Sequence, residues 1–146
     1  MSTPVSEFPA ATPAETLARF QDRFRFETDC ADVHAGLEAR PDFVLVDARS
    51  AGAFEKGHVP GAVNIPHRTI TAQTMGGYPP STLFVVYCDG PHCNGAARAA
   101  VRLASLNYRV KEMVGGITGW LDEGFALEQG AAAAQPIAAS RVACGC

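Results

Sequence analysis

Two cysteines lie close together in the stretch YCDGPHCNGAARAA, residues 87–100. Cys88 directly follows an apolar run, and Cys93 comes five residues later after several turn-forming residues. The thiolate is the reactive form of cysteine, so the chemistry of this stretch depends on the pKa of its thiols. Three roles are open for Cys88: a nucleophile held in a loop, one half of a redox pair with Cys93, or a small buried residue.

The elements on either side of Cys88 favour the nucleophile. The run TLFVVYC predicts a buried strand over 82–88, and an Ala-rich helix is predicted over 94–106. Backbone N–H groups in the intervening loop can surround an anion, and the positive end of the helix points the same way. Both effects lower the pKa of a thiol. The predicted anion-binding loop follows Cys88 and comprises Asp89, Gly90, Pro91, His92, Cys93 and Asn94.

Two further polar side chains follow another predicted strand. In DFVLVDARS the apolar run 43–46 predicts a strand that is covered on both faces, and Asp47 and Arg49 come after it. Ligands of parallel sheets bind beyond the carboxyl ends of the strands. We therefore expect Asp47, Arg49 and Cys88 to meet at one edge of the sheet. There the Asp–Arg pair supports the site or, as is more common, braces the structure.

Helix and strand patterns alternate along the chain and predict an α/β fold with a central, mostly parallel sheet and helices on both faces. A first helix is predicted over 13–25, where Leu17, Phe20 and Phe24 recur at helical spacing behind a cap at Thr12. The other predicted elements are a strand at 25–27, helices at 30–39 and 51–55 capped by Asp29 and Ser50, an extended piece at 62–65, a strand at 108–114 and a short helix at 117–124.

Packing can also be predicted for the helix that follows Cys88 and for the end of the domain. The inward-facing residues of the helix at 94–106 are predicted to be Ala97, Ala100, Val101 and Leu103 or Ala104. Asn107 is expected to end this helix in the left-handed conformation. Trp120 is predicted to close the core rather than bind a ligand.

The chain divides into three parts by composition. Residues 1–12 are expected to be flexible, residues 13–128 to form one domain, and residues 129–146 to form a flexible tail that contains Cys144 and Cys146. This Cys-Gly-Cys end could form a disulfide, bind a soft metal or be inert.

Composition narrows the function further. The 146 residues carry a net charge of -3, which argues against a nucleic-acid or anionic-membrane partner. No apolar stretch approaches the ~18 residues of a membrane span, and the start lacks a secretory signal, so a cytoplasmic location is expected. Five cysteines without paired C-x-x-C spacing favour reduced thiols over a disulfide framework or a structural zinc site.

Four motifs occur in order between residues 27 and 127. They are Asp47-Ala48-Arg49, the turn GHVPGA at 57–62, Tyr87-Cys88 and GGITGW at 115–120. Any one of them is a weak signal. Together, with this order and spacing, the sequence resembles the single-domain rhodaneses, a family of sulfurtransferases.

The resemblance implies a rhodanese-like α/β fold and a ping-pong reaction. Cys88 would take a sulfane sulfur from a donor such as thiosulfate and become a persulfide, which passes its outer sulfur to cyanide, a thiol or a protein acceptor. Loop N–H groups would hold the persulfide and the donor oxyanion. Cys144 or Cys146 could also accept this sulfur from Cys88. No metal or organic cofactor is implied.

The loop departs from the family pattern in its charge. Family loops with thiosulfate activity often carry Arg or Lys, whereas this loop has no fixed cation and contains Asp89. A carboxylate there opposes both a low thiol pKa and a dianionic donor. Protonated His92, Arg98 or Arg49 could compensate. Glutathione persulfide or a persulfide on a partner protein is therefore a reasonable donor in place of thiosulfate.

The second departure is Cys93, at the last position of the loop. It could attack a Cys88 persulfide and form a disulfide, or simply be a small side chain that fits. Two alternatives to the sulfurtransferase thus remain: a thiol redox switch that uses the cysteine pair, and a catalytically silent module that binds a partner. Phosphatases that share this fold need an arginine in the motif Cys-x5-Arg. The corresponding position after Cys88 is Asn94, which argues against a phosphatase.

Overall fold

Strands and helices alternate in the computed structural model, which describes residues 1–131. The strands are β1 Glu27–Asp29, β2 Val44–Asp47, β3 Val63–Asn64, β4 Leu83–Tyr87 and β5 Arg109–Val114. The helices are α1 Pro13–Phe26, α2 Cys30–Glu38, α3 Ala51–Lys56, α4 Ala72–Met75, α5 Gly95–Ser105 and α6 Gly116–Asp122, and a 3-10 turn covers His67–Thr69. None of the helices described is long and apolar enough to cross a membrane.

Side-chain caps fix where the helices begin. Thr12 Oγ1 accepts from the backbone N–H of Glu15 at 3.2 Å while the Glu15 carboxylate accepts from the N–H of Thr12 at 3.0 Å, so the predicted capping box is present. Asp29 and Ser50 cap α2 and α3 as predicted. Asn107 has φ of 67° and ends α5 in the left-handed conformation, also as predicted.

All strands of the sheet are parallel, in the order β1-β5-β4-β2-β3. The central strand β4 pairs with β2 so that Asp47 lies beside Tyr87. This register puts Ala48, Arg49 and Cys88 just beyond the carboxyl ends of two adjacent strands. The predicted α/β class with a parallel sheet is confirmed.

Side chains of β4 alternate between two cores, one on each face of the sheet. Phe84 and Val86 pack towards α4 and α5, whereas Val85 and Tyr87 pack towards α2, α3 and α6. Trp120 belongs to the second core and is 2% exposed, as predicted. Both faces of the sheet are therefore covered by helices, which explains the uninterrupted apolar run of β4.

The predicted inward face of α5 is wrong at Ala97 and Val101, whereas Leu103 is buried as predicted and Ala100 is half-buried. Its buried residues are Gly95, Ala96, Ala99 and Leu103, whereas Ala97 and Val101 are exposed. The buried stripe is rotated by about one residue from the prediction. Alanine fits either face of a helix, so an Ala-rich sequence contains little contrast to fix its rotation.

The first helix also differs from expectation. It continues through Phe26, so β1 begins at Glu27 rather than at Arg25. The predicted apolar stripe of Leu17, Phe20 and Phe24 is exposed, and no residue of α1 is buried. Helical spacing predicted the helix correctly, but here it did not predict burial.

The predicted boundary at residue 128 falls within residues that contact the domain. His58 and Glu128 form an antiparallel bridge, and the N–H of Gly130 donates to Glu55 O at 2.9 Å. Most of the predicted tail, including Cys144 and Cys146, lies outside the described residues.

Candidate active site

Cys88 lies where the central strand meets the helix that follows it. It comes directly after β4, is 6% exposed and belongs to the core on the α5 side of the sheet. A Cβ placed on Gly95, the first residue of α5, would lie 2.8 Å from Cys88 Sγ. The sulfur therefore sits against the positive end of an 11-residue helix, as the sequence predicts.

A disulfide joins Cys88 to Cys93, with their Cα atoms 6.4 Å apart. The loop turns tightly enough for this because the Cys93 N–H donates to Gly90 O at 3.1 Å. The backbone N–H of Gly95 points at Cys93 Sγ, at 3.4 Å. The expectation of reduced thiols is wrong for this pair, because the tight loop places the two sulfurs within bonding range.

Asp47 is wholly buried and is held by several donors. Arg49 donates to it through Nε at 3.0 Å and Nη2 at 2.7 Å, and the Tyr87 hydroxyl donates to Oδ2 at 2.7 Å. Burial and the Asp47 charge raise the pKa of Tyr87 above its usual range. Burial alone would lower the pKa of Arg49, but hydrogen bonding and the charge of Asp47 raise it overall. Asp47 and Arg49 thus form a buried ion pair that braces the end of β2.

The same arginine reaches the loop. Arg49 Nη1 donates to Asp89 Oδ1 at 3.2 Å, and Arg49 Nη2 donates to Gly57 O at 2.6 Å in the GHVPGA turn. Asp89 is therefore turned towards Arg49, which offsets its charge close to Cys88. Arg49 links β2, the GHVPGA turn and the loop. The positive charge of its guanidinium group is largely paired with the carboxylates of Asp47 and Asp89.

The backbone of the loop is fixed from the other side by α6. Ile117 and Thr118 donate their N–H groups to the carbonyls of Cys88 and Asp89, at 3.1 and 2.9 Å. This contact requires Gly116, whose φ is +55° and whose absent Cβ would lie 2.9 Å from Gly90 N. The GGITGW motif thus supports the loop, a role that its sequence alone did not reveal.

An open cavity of about 380 Å³ faces the disulfide. Its lining comes from the ends of β2 and β4, the start of α3 and α5, and the 3-10 turn: Ala48, Arg49, Ser50, Ala53, Pro66, His67, Arg68, Cys88, Asp89, Cys93, Asn94 and Gly95. Sequence reasoning missed Arg68 and His67 because they lie in a connection without a motif. Arg68 forms no ion pair with any described residue, so it is a cation available to this cavity.

His67 differs from Arg68 in its charge. Burial, followed by the charges of Arg68, Arg98 and Arg102, lowers the pKa of His67. Its Nδ1 is buried and lacks a hydrogen-bond partner among the described residues. At neutral pH the cavity therefore has Arg68 as its cation and His67 as a neutral polar group.

The other predicted loop and supporting residues lie further from the cavity. Pro91 and His92 are exposed, and neither lines the cavity. Arg98 also does not line it, since its Nε donates to Asn94 Oδ1 at 3.1 Å. The structure therefore brings together Asp47, Arg49 and Cys88 with Asp89, and it directs Arg98 to the first turn of α5.

Metal binding at this loop would need a reduced pair of cysteines. The Sγ atoms of Cys88 and Cys93 and one Asp89 oxygen lie within 4.8 Å of one another. Two thiolates and a carboxylate suit a thiophilic divalent ion, but structural zinc sites have four ligands. Asp89 is also engaged by Arg49, so this group fits a metal poorly.

Cys30 is the free cysteine among the described residues, and its thiol is expected to be unreactive. It is buried, and its Sγ lies 3.6 Å from Val114 O. Burial, followed by the charges of Asp29 and Glu123, raises the pKa of Cys30 to about 11. Cys30 is therefore a neutral thiol near pH 7 and does not compete with the loop cysteines as a nucleophile.

The Gly95→Ala substitution tests the close approach of Cys88 to α5. We expect the rate at which iodoacetamide alkylates Cys88 in the reduced protein to change by on the order of tenfold, because the new methyl group displaces Cys88 Sγ. Gly52→Ala, in the first turn of α3, has nothing within 4 Å of the new Cβ and should leave this rate unchanged. Peptide mass mapping measures the alkylation at Cys88 alone, and equal rates in both variants would contradict the close approach.

Comparison with known proteins assigns the fold to a family. The sequence model of the rhodanese-like domain family matches residues 29–123 of this chain. The thiosulfate sulfurtransferase of Azotobacter vinelandii is 32% identical over 132 residues, which cover 75% of this chain and 48% of that protein. The HTH-type transcriptional regulator Rv0324 of Mycobacterium tuberculosis is 33% identical over 91 residues, 62% of this chain and 39% of the regulator. The chain thus spans less than half the length of these two curated relatives.

Solved structures agree with this match. The BH2092 protein of Bacillus halodurans has a TM-score of 0.78 and 33% identity, and the alignment covers 86% of this chain and 93% of that one. The rhodanese-like domain of the Anabaena Alr3790 protein has a TM-score of 0.64 and 25% identity, with 70% and 78% of the two chains covered. The parallel sheet, the ordered motifs and these matches lead to one conclusion: the chain belongs to the rhodanese-like domain family.

Proposed function

We propose that this domain is a sulfurtransferase in which Cys88 carries sulfane sulfur as a persulfide. The observation that supports this most is the position of Cys88 at the carboxyl end of the central strand, against the first turn of α5 and at the base of an open cavity. The likeness to a thiosulfate sulfurtransferase supports the reaction class. The cytoplasmic location predicted from the sequence belongs to this proposal too.

The reaction begins from the reduced pair, which a dithiol forms from the disulfide. The Cys88 thiolate attacks the outer sulfur of thiosulfate, the S–S bond of thiosulfate breaks, and sulfite leaves with the bonding electrons. An acceptor such as cyanide or a thiolate then attacks the outer sulfur of the persulfide and regenerates the Cys88 thiolate. The start of α5 stabilises the negative sulfur in both steps.

In this proposal the compound that donates sulfur to Cys88 is a small anion. The loop has no fixed cation of its own, but Arg68 brings one to the cavity from the 3-10 turn. Thiosulfate and glutathione persulfide both carry negative charge that an arginine can bind. The carboxylate of Asp89 disfavours the thiosulfate dianion, so we expect glutathione persulfide to react faster than thiosulfate. A thiol or a partner protein is the expected acceptor.

Substitution of Arg68 tests the cation. Arg68→Ala should raise KM for thiosulfate about two- to fivefold at low salt and leave kcat nearly unchanged, because an exposed charge contributes to donor binding only modestly. The effect should shrink as salt is added. Arg40→Ala removes the same charge from an exposed position two residues after α2 and serves as the control. An equal rise of KM in both variants would show that only net charge matters.

Sulfur loading tests the function itself. The reduced protein is treated with thiosulfate or glutathione persulfide and its intact mass is measured, before and after cyanide. We expect a gain of one sulfur that cyanide removes, that remains possible in Cys93→Ser and that is abolished in Cys88→Ser. Steady-state transfer should fall by on the order of 10³-fold or more in Cys88→Ser. No gain from either donor in Cys93→Ser would overturn the proposal.

The disulfide supports a second candidate, a thiol redox switch that uses Cys88 and Cys93. A switch of this kind predicts a reversible pair without any uptake of sulfane sulfur. A catalytically silent partner-binding module predicts, in addition, a Cys88 thiol of ordinary reactivity. The loading experiment separates both from the sulfurtransferase.

A further inference from the structure

Cys93 lies where it can react with whatever Cys88 carries. The two sulfurs are bonded directly to each other in this structure, and the turn from Gly90 to Cys93 holds them together. The N–H of Gly95 points at Cys93 Sγ and would stabilise its thiolate by hydrogen bonding. Cys93 is partly exposed, at the edge of the cavity that Cys88 faces.

We propose that Cys93 is a resolving nucleophile, so that the domain releases sulfane sulfur as hydrosulfide without an external acceptor. This inference rests on the proposed function, since it starts from the Cys88 persulfide. It adds an internal acceptor to the reaction and defines hydrosulfide as a product.

The step balances in atoms and electrons. The Cys93 thiolate attacks Cys88 Sγ, a bond forms between the two cysteine sulfurs, and the bond between Cys88 Sγ and the outer sulfur breaks. The outer sulfur leaves as HS⁻ with the bonding electrons and the proton of the persulfide. The two cysteines are oxidised to the disulfide, and the sulfane sulfur is reduced to sulfide. A dithiol, such as a small dithiol or a dithiol protein, then reduces the disulfide and resets the site.

Three features of the site favour this step. The product of the step is the disulfide that the structure contains. Asp89, the acidic neighbour that would oppose a second thiolate, is turned towards Arg49 at 3.2 Å. The cavity of about 380 Å³ that is open to solvent beside Arg68 gives hydrosulfide a route out. Sulfide release then competes with transfer to external acceptors, and the supply of dithiol sets the balance.

The experiment follows loaded sulfur in the absence of any acceptor. Reduced native protein, Cys93→Ser and the double variant Cys144→Ser/Cys146→Ser are each exposed to glutathione persulfide and freed of donor on a desalting column. Sulfide, cyanide-labile sulfur and intact mass are then measured over time. Native protein and the tail variant should release about one sulfide per loaded sulfur and finish as the disulfide. Cys93→Ser should keep its persulfide on the order of 10²-fold longer, because it lacks the intramolecular nucleophile.

Each alternative outcome has a separate meaning. Equal persulfide lifetimes in native protein and Cys93→Ser, with both loaded, would overturn this inference and leave the proposed function standing. Loss of sulfide release in the tail variant would assign the internal acceptor to Cys144 or Cys146 instead of Cys93. No sulfur uptake by Cys93→Ser would overturn the proposed function and the inference together.

Discussion

The Arg49→Ala variant is expected to lose about 3–5 kcal/mol of unfolding free energy. The reason is the wholly buried carboxylate of Asp47, whose charged partner is removed while the Tyr87 hydroxyl alone remains as a side-chain donor. The substitution also frees Asp89 and removes the hydrogen bond to Gly57 O. Urea unfolding followed by circular dichroism measures this loss.

A surface pair provides the control for this prediction. Arg23 and Glu27 form an ion pair at 2.8 Å, but their side chains are 54% and 35% exposed. Arg23→Ala should therefore change the unfolding free energy by at most ~1 kcal/mol. Losses of similar size in Arg49→Ala and Arg23→Ala would contradict the view that Arg49 compensates a buried charge.

The Gly116→Ala variant is expected to lose sulfur loading by on the order of 10²-fold. Its Cβ would lie 2.9 Å from Gly90 N and 3.0 Å from the carbonyl carbon of Asp89, and it would overlap the carbonyl oxygen of Cys88. Since these are backbone atoms, the loop has to move away from α6. Intact mass after treatment with glutathione persulfide, with Cys93→Ser present in both proteins, measures the loading.

Gly124 separates this clash from the strain of the backbone. It also has a positive φ, +84°, but a Cβ there meets nothing within 4 Å. Gly124→Ala should cost roughly 1–2 kcal/mol of stability through its left-handed backbone and leave sulfur loading unchanged. Unimpaired loading in folded Gly116→Ala would show that the loop does not depend on α6.

Short sequence patterns and the order of the strands predicted most of the fold. Caps at Thr12, Asp29 and Ser50 were correctly predicted because each cap is a contact between residues close in sequence. The meeting of Asp47, Arg49 and Cys88 followed from parallel strands that end at the same edge. Both depend on rules that need no knowledge of distant contacts.

Features that depend on tertiary contacts were harder to predict. The exposed Leu17, Phe20 and Phe24 show that helical spacing alone does not establish burial. Arg68 reaches the cavity from a connection whose path no sequence pattern indicates. The disulfide depends on how tightly the loop turns, and the sequence left the role of Cys93 open for that reason.

The contact between the loop and α6 also couples Cys88 to the only tryptophan in the chain. Ile117 and Thr118 hold the loop carbonyls, and Trp120 follows on the same short helix with its indole N–H donating to Ala126 O at 2.9 Å. We therefore expect a change of the loop between disulfide, thiol and persulfide to reach the buried indole of Trp120. We expect emission from Trp120 to report the state of Cys88 on the stopped-flow timescale, without an attached dye.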